Sequence, residues 1–373
     1  DQFIELYNAS PTTVDISNWS LINTRSQWAP IKLATIPPGA KLAGGAYYLL
    51  GLSSSGLAAP TSPGATAINV NSAAGFEAGQ KIDIDGETRT IVSAGTAAAA
   101  MTTLFIPVST GPWITFPAGS VNLPVTNAAG FAVGEKIGID AGGDYEVATV
   151  TAVGKAATQT TLSAAALAGA ANIKVAATAN ISAGDTLTVG TGARKELVVV
   201  ASAGAPGPNG AGLNLAAPLR FDHMAGVDVS GPGTGISFSP ATKFPHVSGD
   251  AVQALGSGVT LDSPLVKPHA YGAPVINPLA KTAGYQGPPA PHQWFGDALS
   301  TRAGSIALLD ASGAVVADAM VYGSQQSNSS ANGTIASPEI ATLEGDQGGG
   351  GCIVVVPGAA GGAGASAGRF PDG

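Results

Sequence analysis

Phe3-Ile4-Glu5-Leu6-Tyr7, followed at once by Asn8-Ala9-Ser10-Pro11, is the stretch whose reading decides the fold. Apolar and polar positions alternate along the run, which is the period of a half-buried strand, and it stops in turn chemistry because Asn bonds its own backbone and Pro fixes φ. Val14, Ile16, Trp19 and Leu21 repeat the pattern around Asn18. After Pro37-Pro38-Gly39 a third short run, Ala46-Tyr47-Tyr48-Leu49-Leu50, ends at Gly51. A sheet with one apolar face needs a second sheet to cover it. Nothing directly after Leu52 supplies one; the next strands of this kind are Gly304 to Val316 and Asp318 to Gly323, around the Ser312-Gly313 turn.

Composition agrees with many short strands. Of 373 residues, 45% are hydrophobic and only 11% charged, with 52 Gly and 26 Pro; the charged share lies well below the usual quarter, and no segment reads as a long amphipathic helix. The net charge of −8, with Lys and Arg spread thinly, argues against nucleic acid or an anionic membrane surface as partner. The apolar run Cys352 to Val356 is broken by Pro357-Gly358, far short of a membrane span. Cys352 is the single cysteine, so it forms no disulfide within this stretch; it reads as a small buried apolar residue, with an intermolecular disulfide or a bridge to another part of a longer polypeptide as the alternative.

Taken in order, IELYN, VDISNWSL, IPPGAKLAGGAYYLLG, SIALLDASGAVVADAMVYG and the closing SAGRFPDG resemble the lamin-tail domain family. The resemblance covers roughly a third of the chain, in two blocks, and implies an immunoglobulin-like β-sandwich of the kind used as an accessory module in bacterial secreted and surface proteins. It implies no catalytic residues. Trp19, Tyr47 and Tyr322 would be core or strand-edge positions. Family members have a further strand before IELYN and continue past GRFPDG. Two expectations follow: a fragment of a longer polypeptide, which is favoured, or a sandwich lacking an edge strand that another chain supplies by strand addition.

Between Leu52 and Pro291 the chain is self-similar. Ala67 to Asp85, Val121 to Asp140 and Ala171 to Val189 share one plan: a strand, a turn with an apolar anchor (Phe76, Phe131 or Ile181), a glycine (Gly79, Gly134 or Gly184), and a second strand, followed by a third strand. The marker glycines require either φ > 0 or a close backbone approach. A shorter repeat follows, with His223, His246 and His269 spaced by 23 residues, and reads as stacked hairpin-like units.

Three candidate chemistries arise. His223, His246 and His269 could form one facial metal site, against the plainer reading that each bonds a backbone carbonyl in its own turn. The carboxylates Asp83, Asp85 and Glu87, and the matching Asp140, Asp144 and Glu146, could hold Ca²⁺; solvated strand ends are favoured, as the third copy has Val189, Thr191 and Glu196 there. Trp28, Trp113, Trp294 and Phe295 lie in Pro/Gly-rich segments and are the candidates for stacking on a glycan, while Trp294-Phe295 also fits a plug where the insertion returns to the sandwich. No catalytic constellation is suggested, and no cofactor is required.

The expectation is therefore an all-β protein: an Ig-like, lamin-tail-type β-sandwich from 1–52 plus 293–373, inserted β-units at 53–205, inserted 23-residue repeats at 206–280 and a Pro/Gly-rich linker at 281–292. The leading function is a non-catalytic structural or interaction protein, a building module of a bacterial cell-surface or extracellular assembly, filaments included, whose partners are other protein subunits and, by self-assembly, itself. The alternative is a carbohydrate-binding accessory module of a larger secreted enzyme.

Overall fold

The computed structural model describes residues 2–24, 30–107, 114–140, 143–205, 207, 210–281, 284–299 and 304–322. They form an all-β protein whose only helical element, among the described residues, is the 3-10 turn Gly192–Arg194. They divide into two compact blocks, one from the described residues of Asp1–Ala98, Ala141–Gly143 and Leu255–Gly373, the other from those of Ala99–Asp140 and Asp144–Ala254. Cys352, Gly348 to Gly351 and the SAGRFPDG segment lie outside the described residues.

In the first block, Phe3–Tyr7 pairs antiparallel with Tyr47–Leu52, Ile4 opposite Leu50, and Gln293–Phe295 runs parallel along the other side of Tyr47–Leu52. A second sheet has the order Val316–Tyr322, Gly304–Leu309, Ser20–Thr24, Pro30–Thr35. Alternation explains the burial, since Ile4, Leu50 and Phe295 from one sheet share a core with Leu21, Leu33, Ala34 and Ile306 from the other. The opening strands are thus divided between the two sheets, and the late hairpin completes the second by pairing with Ser20–Thr24. The Asp310 carboxylate holds that hairpin's turn by accepting from the Ser312 amide and hydroxyl.

Of the remaining strands, Val14–Asp15 pairs with Lys41–Leu42 and Thr115–Phe116 with His246–Val247, and the others form three six-stranded antiparallel sheets of identical order. The first module runs Ser55–Gly56, Pro274–Ile276, Lys81–Ile84, Glu87–Ala94, Val259–Leu261, Ala67–Ile68. The second runs Thr102–Thr103, Ala251–Ala254, Lys136–Ile139, Glu146–Val153, Ile236–Ser239, Asn122–Leu123. The third runs Thr158–Thr161, Asp228–Gly231, Thr186–Val189, Glu196–Ala203, Ala211–Leu215, Asn172–Val175. Each sheet curls until its edges meet, at the antiparallel bridges Leu57↔Val70, Leu104↔Val125 and Leu162↔Val175. The long strand of each breaks register at one place, Ile91/Ser93, Val150/Ala152 or Val200/Ser202, and such bulges sharpen the bend that closure needs. Each curled sheet encloses its own apolar core, and the anchors Phe76, Phe131 and Ile181 are buried in them.

The segments 53–205 and 206–280 therefore do not form two separate arrays. Each histidine-bearing repeat gives its strands to the sheet of an earlier unit, in reverse order: the last joins the first module, the middle one the second, and the earliest the third. Nor are these repeats hairpins, because the two central strands of the sheet separate the two strands of each repeat.

Where the chain enters and leaves a module, its two passes touch. A Cβ on Gly233 would stand 2.3 Å from the Lys155 oxygen, one on Gly256 2.4 Å from the Ala97 oxygen, and one on Gly284 2.6 Å from the Leu52 oxygen. All three glycines have positive φ, at 66°, 63° and 77°. Only a residue without Cβ admits that approach.

Candidate functional site

Each module carries one glutamate at the start of its longest strand, buried in the first and third and nearly so in the second, and one buried histidine in the connection between the two late strands. In the third module, Glu196 Oε1 lies 2.9 Å from His223 Nε2, and the same carboxylate accepts the backbone amides of Arg220 and Phe221. In the second, Glu146 meets His246 Nε2 at 3.1 Å and the amides of Lys243 and Phe244. In the first, Glu87 meets His269 Nε2 at 3.1 Å and the amides of Val266 and Lys267, with Arg89 paired beside it. An ionised carboxylate only accepts, so the ring proton sits on Nε2 in each case. The histidines bond glutamates, not the backbone carbonyls of their own turns.

Burial alone would raise the pKa of these glutamates. The two amide donors and the ring N–H outweigh it, and Glu87, Glu146 and Glu196 are all held below the ordinary glutamate value. For His246, burial disfavours the charged ring, but Asp250 and Glu146 outweigh this and lift its pKa above the ordinary histidine value.

The structure does not assemble a three-histidine site. His223 and His246 belong to different sheets and His269 to the other compact block, each engaged by its own glutamate. Among the described residues, the grouping of three metal-type ligands with atoms within 4.8 Å of one another is Asp140, His246 and Asp250. The carboxylate sets considered for Ca²⁺ divide their labour, with Glu87 and Glu146 turned inward to histidine and Asp83 accepting from the Gly86 amide at 2.8 Å.

Of the aromatic candidates, Trp28 and Trp113 lie outside the described residues. Trp294 is half-buried on the strand beside Gly51, and Phe295, fully buried, packs the core shared by the two terminal sheets, so it presents no face to a ligand. Exposed aromatics do lie elsewhere on that sheet, Phe3 at 45%, Tyr7 at 37% and Tyr47 at 45% exposure, with the Tyr7 and Tyr47 rings 4.7 Å apart; Phe244, at 40%, is exposed in the second module. Period-two alternation already places Phe3, Glu5 and Tyr7 on one outward face, a signal in the opening strand that loop composition obscured.

No protein-family model matches the chain, and no curated protein matches it in sequence.

Proposed function

We propose that this chain is a non-catalytic extracellular building module: a lamin-tail-type, Ig-like sandwich carrying an inserted, nested series of small β-modules, and working by assembly with other protein subunits or with its own copies at a bacterial surface or in an extracellular filament. The observation that carries this reading is the junction geometry. Entry and exit passes lie side by side at Lys155 and Gly233, at Ala97 and Gly256, and at Leu52 and Gly284. A module can then be threaded into another at one point while both keep complete sheets and cores, an arrangement suited to adding units of structure. The buried Glu–His pairs fit the same reading, since each is spent holding a loop. The test is the native mass by light scattering after size exclusion, with negative-stain imaging of the same fraction. Regular oligomers or polymers support assembly; a monomer at every concentration overturns it.

A second reading, carbohydrate binding, is favoured by a different observation: Phe3, Tyr7 and Tyr47 expose aromatic rings on one face of the terminal sheet, the kind of surface on which sugar rings stack. Glycan-array binding that is lost in Tyr7→Ala/Tyr47→Ala would establish it.

A further inference from the structure

The three modules are alike enough that their differences are informative, and two of them fall around one histidine. The residue directly after the third strand in chain order is Asp85, Asp140 or Gly190, left-handed in every case (φ 47°, 71° and 78°), and its amide donates to the carbonyl of Pro274, Ala251 or Asp228. The residue four positions after the histidine is Ala273, Asp250 or Val227. Only the second module has a carboxylate at both places.

There, the His246 side chain is 1% exposed, and its Nε2 is committed to Glu146. Its Nδ1 is buried and makes no hydrogen bond, and it lies 3.6 Å from Asp250 Oδ2. Asp250 is itself buried, and its Oδ2 accepts the Val247 amide at 2.7 Å, which fixes the carboxylate in place. Asp140 stands on its left-handed turn with an oxygen inside the same 4.8 Å cluster.

We propose that Asp140, His246 Nδ1 and Asp250 form a binding site for one divalent cation of the zinc class. A neutral imidazole nitrogen between two carboxylates is a donor set for zinc, cobalt or manganese; calcium and magnesium take all-oxygen shells. At metal–ligand distances of about 2.0–2.1 Å, neighbouring ligand atoms around a tetrahedral ion lie about 3.3 Å apart. His246 and Asp250 are within a few tenths of that separation, and rotation of the half-buried Asp140 side chain closes the rest. Glu146 has the part that a carboxylate behind a metal-bound histidine commonly plays: it holds the proton on Nε2, aims Nδ1 and makes the ring a stronger donor. Bound there, the ion would tie the late connection of the module to its central hairpin. In the first module His269 Nδ1 has only Asp85, at 3.9 Å, and in the third module neither position carries a carboxylate.

The sister modules supply the controls. In Asp250→Ala and Asp140→Gly each residue is replaced by the one that an intact module carries at the same place, so the fold has a precedent for both. The full chain, stripped with chelator, would be titrated with ZnCl₂ by calorimetry and with Co²⁺ by visible absorption, and its thermal unfolding followed with and without Zn²⁺. One equivalent bound per chain, a higher midpoint with Zn²⁺, and affinity reduced by at least about 10- to 100-fold in both variants is the expected result. Absence of uptake, equal uptake by the variants, or equal affinity for Ca²⁺ each overturns the site.

Discussion

His223 Nε2 lies 2.9 Å from Glu196 Oε1, both side chains almost wholly buried, and this pair recurs as His246 with Glu146 and His269 with Glu87. In each case the glutamate also accepts two successive amides of the connection that carries the histidine, so one carboxylate organises a whole loop.

Removing that acceptor leaves three donors without it in the third module, the part-buried Arg220 and Phe221 amides and the buried His223 ring. Glu196→Ala is expected to lower the stability of this module by about 3 kcal/mol, and Glu196→Gln, which keeps one carbonyl acceptor, by less. Hydrogen exchange of the 158–231 amides, together with urea unfolding, reads both. A loss under about 0.5 kcal/mol for the alanine variant would mean that water replaces the carboxylate and that the pair organises nothing.

The same glutamates set an acid limit. Their folded pKa values lie below the ordinary one, so the unfolded chain binds more protons than the folded chain as pH falls below about 4.3. The stabilisation is complete above that pH and is lost as pH drops through the folded values. Thermal midpoints measured from pH 6 to pH 2 should fall on the acid side, with a shallower slope in Glu196→Gln. An unchanged slope in that variant would assign the acid lability to other carboxylates.

Much of this was legible in sequence and some was not, for physical reasons. Phe3–Tyr7 and the late hairpin at Gly304–Tyr322 announce themselves by alternation and turn residues, and the three anchors with their glycines mark a repeat. Gly79, Gly134 and Gly184 answer an alternative that sequence left open: all have φ near 90°, and a Cβ on any of them meets nothing within 4 Å, so left-handed backbone is what they supply. Two-residue strands such as Ser55–Gly56 and Thr102–Thr103 are too short to carry a period. The Glu–His pairs span 27, 100 and 182 residues, and only a nested chain path brings them together. A trace of that path is present in the residues, since three glutamates in ascending order face three histidines in descending order. Phe295 misleads because a Pro-rich neighbourhood suggests an exposed loop, whereas the strand is held in place by parallel pairing to Tyr47–Leu52.

Two glycines separate backbone conformation from steric contact. Gly184 has φ 90° with open space around its missing Cβ, whereas at Gly233, with φ 66°, the Cβ would meet the Lys155 and Ala156 carbonyl oxygens at 2.3 and 2.4 Å. Gly184→Ala is expected to cost about 1 kcal/mol, the left-handed penalty alone. Gly233→Ala adds a clash with backbone that has no flexible end to move, for about 3 kcal/mol in all. Chemical denaturation of both variants provides the comparison; equal losses would show that the junction at Lys155 opens without resistance.

The third module is the one whose six strands are contiguous in sequence, from Thr158 to Gly231, with its own core and its own Glu196–His223 pair. Residues 156–232 expressed alone are therefore expected to fold and to unfold cooperatively, with the modest stability of a domain of about 75 residues. The converse deletion is as informative. The Thr234 and Gly235 amides both bond the Lys155 carbonyl, at 3.0 and 3.1 Å, so a short turn joining Lys155 to Thr234 closes the gap without moving the second module. What is lost is the ion pair of Lys155 with Asp185, worth at most about 1 kcal/mol for a partly exposed pair, and two hydrogen bonds to the second module, from the Ala157 amide to the Val125 oxygen at 2.8 Å and from the Gln159 side chain to the Ile106 oxygen at 3.2 Å. Circular dichroism and thermal unfolding of the isolated module and of the shortened chain decide the matter. If the isolated module lacks a cooperative transition, its core depends on contacts beyond its own sheet, and the modules are parts of one folding unit.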